Sequence, residues 1–234
     1  MTMTLYVPDH VTQRTGSPCQ FSLCWATVLA WLARGATRGT VKLTPEEAAR
    51  RAGGGSGAPN PETGCKTGFE VDLQRGLNIL GIDNEDVTIP FSDLRQRMKN
   101  PRRAIFAVAV DYELWPQDKD CMNGTAVDVN HMVGLIPGID NKGRITVMNP
   151  LCEDYQQVPI DAVQRAAAAF SRKRKRKGIL VVRVDRPKVQ GLPADKERIA
   201  DLEDEVEALR DWVAGARMSL QEALDVPVPT GGNR

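Results

Sequence analysis

The order of apolar and polar positions divides the chain into a helical first half, a strand-rich second half and a heptad tail. Residues 22–34 carry Trp25, Val28, Leu29 and Leu32 on one face at helical spacing, with Gly35 as the stop. A second helix starts at Thr44-Pro45-Glu46-Glu47. Threonine caps it, proline takes the first helical position, and Glu47 completes a capping box. Residues 53–68 are rich in Gly and Pro and read as a loop, of a length that marks either a functional surface or disorder. Helical spacing resumes at Phe69, Leu73, Leu77 and Leu80 and ends at Gly81, and a short helix is expected over 92–99. Strand character begins beyond Arg103, where 104–110 is a continuous apolar run, as in a strand covered on both faces. Residues 131–137 and 143–149 predict two strands joined by a turn at 140–143. An alanine-rich helix over 159–170 and a last strand over 178–184 complete the pattern. Helices first and mostly antiparallel strands later predict an α+β fold, with the N-terminal helices packed on the sheet.

After residue 186 the pattern changes. Residues 187–195 read as a linker, and beyond it Ile199, Leu202, Val206, Leu209, Val213, Ala216, Leu220 and Ala223 alternate three and four apart. That is an a/d seam, with acidic residues mostly outside it. β-branched residues at a and leucine at the first two d positions favour a parallel dimer, while alanine at the later d positions weakens the seam. The expected organisation is a domain over 1–186, the linker, a coiled-coil helix over 196–225 and a tail over 226–234. On this reading the coil makes a homo-oligomer or takes a partner helix. The competing reading is an amphipathic helix packed back on its own domain.

Composition narrows the chemistry. With 31 basic and 30 acidic side chains, the net charge of +1 gives no reason to expect nucleic acid or an anionic membrane as a partner. No apolar run reaches the roughly 20 residues of a membrane span, and residues 1–10 lack the order of a secretory signal. The expectation is a cytoplasmic or virion-associated protein. The five cysteines, at 19, 24, 65, 121 and 152, are odd in number, lie far apart and contain no Cys-x-x-Cys pair. They read as five reduced thiols with no metal and no cofactor. Only two histidines occur, so any imidazole chemistry falls to His10 or His131. The six consecutive basic residues at 172–177 read as a solvated loop rather than a phosphate patch, because no aromatic residue interleaves.

Three short segments carry the candidate chemistry. Ser22-Leu23-Cys24-Trp25-Ala26-Thr27 puts a cysteine in the first turn of an apolar helix, where unpaired amides and the helix dipole favour a thiolate. Val129-Asn130-His131-Met132-Val133 puts a histidine at the entry of an apolar strand, able to exchange protons at neutral pH. Ile145-Thr146-Val147-Met148-Asn149-Pro150 ends the neighbouring strand, and a turn at 140–143 brings Asn149 and His131 to the same end of the ladder. There the amide oxygen would accept the imidazole Nδ1–H and leave Nε2 for the thiolate.

Cys-Trp-Ala on a helix, Asn-His before an apolar strand and Asn at the end of the next, in that order, resemble the papain-like cysteine peptidases. His131-Met-Val-Gly-Leu-Ile-Pro-Gly followed by Asp140-Asn-Lys-Gly-Arg-Ile-Thr-Val-Met-Asn149-Pro150 looks most like the compact bacteriocin-leader-peptidase branch, over about residues 10–185. The resemblance implies a papain-like fold and hydrolysis of a peptide or protein substrate through a covalent acyl-enzyme. Cys24 would be the nucleophile, His131 the general base and acid, and Asn149 the group that orients it. The family also places an oxyanion-binding glutamine about six residues before the cysteine, and here the chain departs from it, since Pro18 stands at that place. Gln20 is the nearest substitute. A second registration sets Gln13 six residues before Cys19, which would then be the nucleophile. The imperfect spacing leaves open an alternative, a catalytically silent papain-like domain serving as a structural part of an assembly such as a phage virion.

Overall fold

The computed structural model describes residues 6–59, 62–100, 103–116 and 130–186, and in the tail residues 206, 207, 209–213 and 217. The chain divides into two compact units, 1–187 and 188–234.

In the first unit a sheet of six strands has the order β1-β6-β2-β3-β4-β5. The strands are β1 (Glu85–Ile89), β2 (Ala104–Asp111), β3 (Asn130–Ile136), β4 (Arg144–Met148), β5 (Gln156–Pro159) and β6 (Ile179–Asp185). Every pairing is antiparallel. Helix α1 (Cys24–Ala36) covers one face of the sheet, with α2 (Pro45–Arg51) and α3 (Glu70–Ile79) outside it. Helix α5 (Ile160–Lys173) covers the other face, with the short α4 (Leu94–Arg97) beside it. The layers separate two apolar cores by strand alternation. Met132 and Ile136 of β3 join the core of α1, while Val133 and Leu135 join that of α5. The expected α+β fold, helices on a mostly antiparallel sheet, is what forms.

Helix α1 is buried on nearly every side, from Cys24 to Ala33 and again at Gly35. A helix between a sheet and two other helices has no polar face to keep, so the stripe of Trp25, Val28, Leu29 and Leu32 understated it. The helix also runs through Gly35, the expected stop, to Ala36. Gly35 is there because Ile105 and Pro8 leave no room for a Cβ. Helix α2 has the expected capping box, Glu47 N–H to Thr44 Oγ1 at 3.2 Å and Thr44 N–H to Glu47 Oε2 at 3.0 Å.

The Gly- and Pro-rich loop is organised around the buried carboxylate of Asp72. Its Oδ2 accepts the Ser56 hydroxyl at 2.6 Å, the Ser56 amide at 3.0 Å and the Phe69 amide at 2.9 Å, and Oδ1 pairs with Arg75. Burial alone would raise this carboxyl; the hydrogen bonds and the guanidinium hold it below its ordinary range.

Two expectations need correction. The cysteines are not all reduced: Cys19 is joined to Cys65, 46 residues away, and Cys152 is also disulfide-bonded. Wide sequence spacing says nothing against a bridge once folding lays the 53–68 loop beside the segment before α1. The basic run is mostly exposed, as a solvated loop would be, but it is not wholly a loop. Arg172 and Lys173 close α5, Arg172 lies over the Phe91 ring at 4.6 Å, and Lys173 reaches Asp111 at 2.7 Å. Arg174 lies over Phe69 at 4.5 Å, and Arg176 forks onto both oxygens of Glu70 at 2.7 and 3.1 Å.

In the second unit most of the expected coiled coil over 196–225, with the linker and tail, lies outside the described residues. Those described within it are helical, and Val206, Leu209 and Val213 of the seam are 46%, 62% and 56% exposed. Among the described residues no helix is long and apolar enough to cross a membrane.

Candidate active site

The site begins with a strand pair. β3 and β4 are registered with Gly134 opposite Met148, so residue 131 and residue 149 extend past the pairing at one end of the ladder. There the two side chains meet, with His131 Nε2 2.9 Å from Asn149 Oδ1. His131 is 2% and Asn149 0% exposed. The predicted convergence of these residues is correct, but the ring nitrogen is not the expected one. Nε2 rather than Nδ1 meets the amide, and the imidazole lies edge-on against Tyr112, with centroids 5.0 Å apart. Nε2–H therefore donates to Asn149, and Nδ1 is left as the basic nitrogen.

Asn149 uses its amide at both ends. Besides His131, Oδ1 accepts the Leu151 amide at 3.1 Å, and Nδ2 donates to Gln156 Oε1 at 2.9 Å. That arrangement fixes which end of the amide is oxygen. Burial pushes His131 down to about 4, with the Asn149 hydrogen bond opposing only part of the shift. The imidazole is thus neutral at pH 7, as a proton acceptor must be.

Cys24 is the first residue of α1. It is 9% exposed and is the one described cysteine that keeps its thiol. No side chain caps the start of this helix, so its first-turn amides and positive dipole end are not taken by a cap. Two contacts set the level of Cys24 along the sheet. Trp31 packs over Gly134, where a Cβ would come within 2.5 Å of the indole. One turn later Gly35 packs on Ile105, which stands level with Ile136 in the β2–β3 register. Helix α1 therefore runs the same way as β3. Seven residues back from Trp31 is about 10 Å of helix, and three back from Gly134 is about 10 Å of strand. Cys24 thus starts its helix at the level of His131. It shares its apolar cluster with Met132 and Met148, the neighbours of His131 and Asn149.

The remaining candidates separate. Cys19 is in a disulfide, which removes its thiol from the second registration. Gln20 opens a 3₁₀ turn, Gln20–Ser22, just before α1. Gln13 is 1% exposed, and its amide donates to the carbonyl of Pro150 at 2.9 Å, one residue from Asn149. Its Oε1 is buried without a hydrogen-bond partner. Among the described residues no cluster of His, Cys, Asp or Glu could hold a metal.

Several solved structures resemble the chain, three of which follow. A C39-like peptidase from Bacillus anthracis aligns at a TM-score of 0.51 and 16% identity, covering 78% of this chain and 96% of that one. The peptidase domain of Streptococcus ComA, a bifunctional ABC transporter of a quorum-sensing pathway, aligns at 0.46 and 11%, covering 77% and 98%. The Pseudomonas avirulence protein AvrPphB aligns at 0.35 and 9%, covering 78% and 98%. No protein-family model and no curated protein sequence matches the chain. The first of these likenesses is one of fold.

Proposed function

We propose that this chain, which has the papain-like fold of a C39-like cysteine peptidase, hydrolyses a peptide or amide bond through Cys24, His131 and Asn149. The observation that carries the reading is the buried 2.9 Å contact between His131 Nε2 and Asn149 Oδ1, at the end of the sheet where α1 begins with a thiol. Nδ1 of the neutral imidazole takes the thiol proton as Sγ attacks the carbonyl carbon. The resulting oxyanion is stabilised by amide N–H donors at the start of α1. His131 then returns its proton to the leaving amine, giving the acyl-enzyme. Water attacks next, its proton passing to Nδ1, and the acid is released with the thiol restored. Asn149 keeps the proton on Nε2 throughout. For the second oxyanion donor, Gln13 is better supported than Gln20. It is buried, its main-chain N–H bonds the Pro150 carbonyl at the His131–Asn149 end, and its side-chain Nε2–H would be the donor.

Alkylation with iodoacetamide, without reductant, followed by peptide mapping tests this. Modification is expected at Cys24 and not at Cys19, Cys65 or Cys152, with loss of peptidase activity, and His131→Ala is expected to slow the labelling. Labelling of Cys24 at the rate of an ordinary thiol in both proteins would leave only the silent structural domain.

The seam over 196–225 is read as the contact with a second copy of the chain, supported by the exposure of Val206, Leu209 and Val213. Sedimentation should then give a dimer that becomes monomeric when the chain is cut after 187. An unchanged mass would sink the dimer.

A further inference from the structure

We infer that Tyr112 is a positioning residue that stops the His131 imidazole from rocking about its bond to Asn149. The inference rests on the function proposed above. The strand pair brings the two rings together. In the β2–β3 register Val110 stands opposite His131, and Asp111, the last residue of β2, stands opposite Asn130. Val108, Val110 and Tyr112 share one apolar cluster, so the alternation of β2 carries on past its end. Tyr112 is thus two residues beyond the cross-strand partner of His131, a diagonal that an aromatic side chain spans. The rings meet there, with centroids 5.0 Å apart and planes at 69°.

The turn that carries Tyr112 is pinned from two sides. Tyr112–Leu114 form a 3₁₀ turn closed by the Trp115 amide, which donates to the Tyr112 carbonyl at 3.1 Å. Tyr112 and Trp115 are both buried in the apolar core under α5. On the other side Lys173, at the end of α5, reaches Asp111 at 2.7 Å and Glu113 at 3.7 Å. The two carboxylates that flank the phenol are therefore engaged with a cation and not with the imidazole. Burial also holds the phenol proton above its usual range, so Tyr112 and Asn149 are both uncharged contacts of His131 at pH 7.

The consequence is geometric. The imidazole is attached to its strand at Cγ and hydrogen-bonded at Nε2. Two points define a line and not a plane, so those two anchors leave the ring free to rock about the line between them. Rocking swings Nδ1, the nitrogen that must meet the Cys24 thiol. A second ring standing across the imidazole plane removes that freedom. Misplacement of a catalytic group by about 1 Å can cost about 100-fold in rate. Partial freedom of one ring is expected to cost about tenfold in kcat, the scale of a single edge-on aromatic contact. KM should be unchanged, because Tyr112 acts through His131 and not on the substrate.

Tyr112→Leu keeps an apolar side chain in the core and removes the ring, and Tyr112→Phe keeps the ring and removes the hydroxyl. Two readouts are taken on the full chain: kcat with KM, and the His131 ring N–H resonance in nitrogen-correlated NMR, which needs no turnover. The expected result is that Tyr112→Leu lowers kcat about tenfold at unchanged KM and broadens the His131 N–H by faster exchange, while Tyr112→Phe is native in both. A native value of either readout in Tyr112→Leu overturns the inference, and so does a rise in KM in place of the fall in kcat. Equal losses in Tyr112→Phe and Tyr112→Leu overturn it too, since the hydroxyl and not the ring would then matter. If Tyr112→Leu does not fold, the wild type decides. Cross-relaxation between the Tyr112 and His131 ring protons with a sharp His131 N–H supports the inference, and absence of either overturns it. If the wild type turns over no substrate, the proposed function fails. The NMR comparison still judges Tyr112.

Discussion

Asn149 and the basic run at 172–177 are opposite kinds of polar feature. Asn149 is one uncharged residue, fully buried, and its amide and carbonyl gather His131, Leu151, Gln156 and Cys152. The run is six consecutive cations, mostly exposed, and its contacts are with this same chain: Glu70, Asp111 and Glu113, and the rings of Phe69, Phe91 and Phe170. Charge density along a sequence marks a docking surface only when the complementary groups lie on something else. Here they lie on α3 and on the turn after β2, so the run latches the end of α5 to its neighbours.

The largest effect should come from the quieter feature. Asn149→Ala strips the acceptor from His131 Nε2–H, leaving that donor buried and the ring free to turn. We expect kcat to fall about 100-fold and stability to drop by about 2–3 kcal/mol, the cost of orphaned buried partners. Steady-state kinetics and urea unfolding measure the two. Full kcat in this variant would erase the distinction between the regions.

Arg176→Ala is the matching experiment on the run. It leaves the Glu70 carboxylate, only 4% exposed, without its forked partner, while the nearby Asp86 carboxyl, itself raised by burial and by Glu70, adds repulsion. Breaking such a pair costs about 3 kcal/mol. Activity should be unchanged at temperatures where the variant is folded. A parallel loss of kcat would mean that the latch reaches the site after all.

How far each region was legible follows from what its residues pack against. The continuous run at 104–110 and the hairpin around residue 140 were readable because β2, β3 and β4 are interior to the sheet, and their apolar residues have no alternative use. The edge strands β1 and β5 went unseen. Glu85, Asp86 and Thr88 are exposed, and β5 has four residues ending in proline, so neither shows a full alternation. In the site, Cys24, His131 and Asn149 were found from order and neighbouring residues. The choice between Nε2 and Nδ1 was not, because strand register brings two side chains together without fixing how the ring turns. The Cys19–Cys65 bridge was missed because the two cysteines stand 46 residues apart and only the fold brings them together.

The smallest effect separates the two regions by pH. His131 has an ordinary value of 6.5 and is held at about 4 by burial. Between those values the unfolded chain binds a proton that the folded one refuses, so stability falls as pH falls. The contribution is complete above about 6.5 and amounts to about 3 kcal/mol by pH 4, at about 1.4 kcal/mol per unit. By pH 5 about 2 kcal/mol should be lost. His10 is displaced in the same direction and adds to the loss. Asp72, held below its ordinary 3.8, contributes only at lower pH, and the guanidinium of Arg176 stays charged throughout. A decline between pH 7 and 5 therefore belongs to the histidine end of the molecule and not to the latch. Urea unfolding of the wild type and of His131→Gln at pH 7, 6 and 5 should show the slope reduced in the variant and kept in Arg176→Ala. Equal slopes in wild type and His131→Gln would mean that the imidazole is solvated, and the buried proton acceptor on which the site depends would be lost.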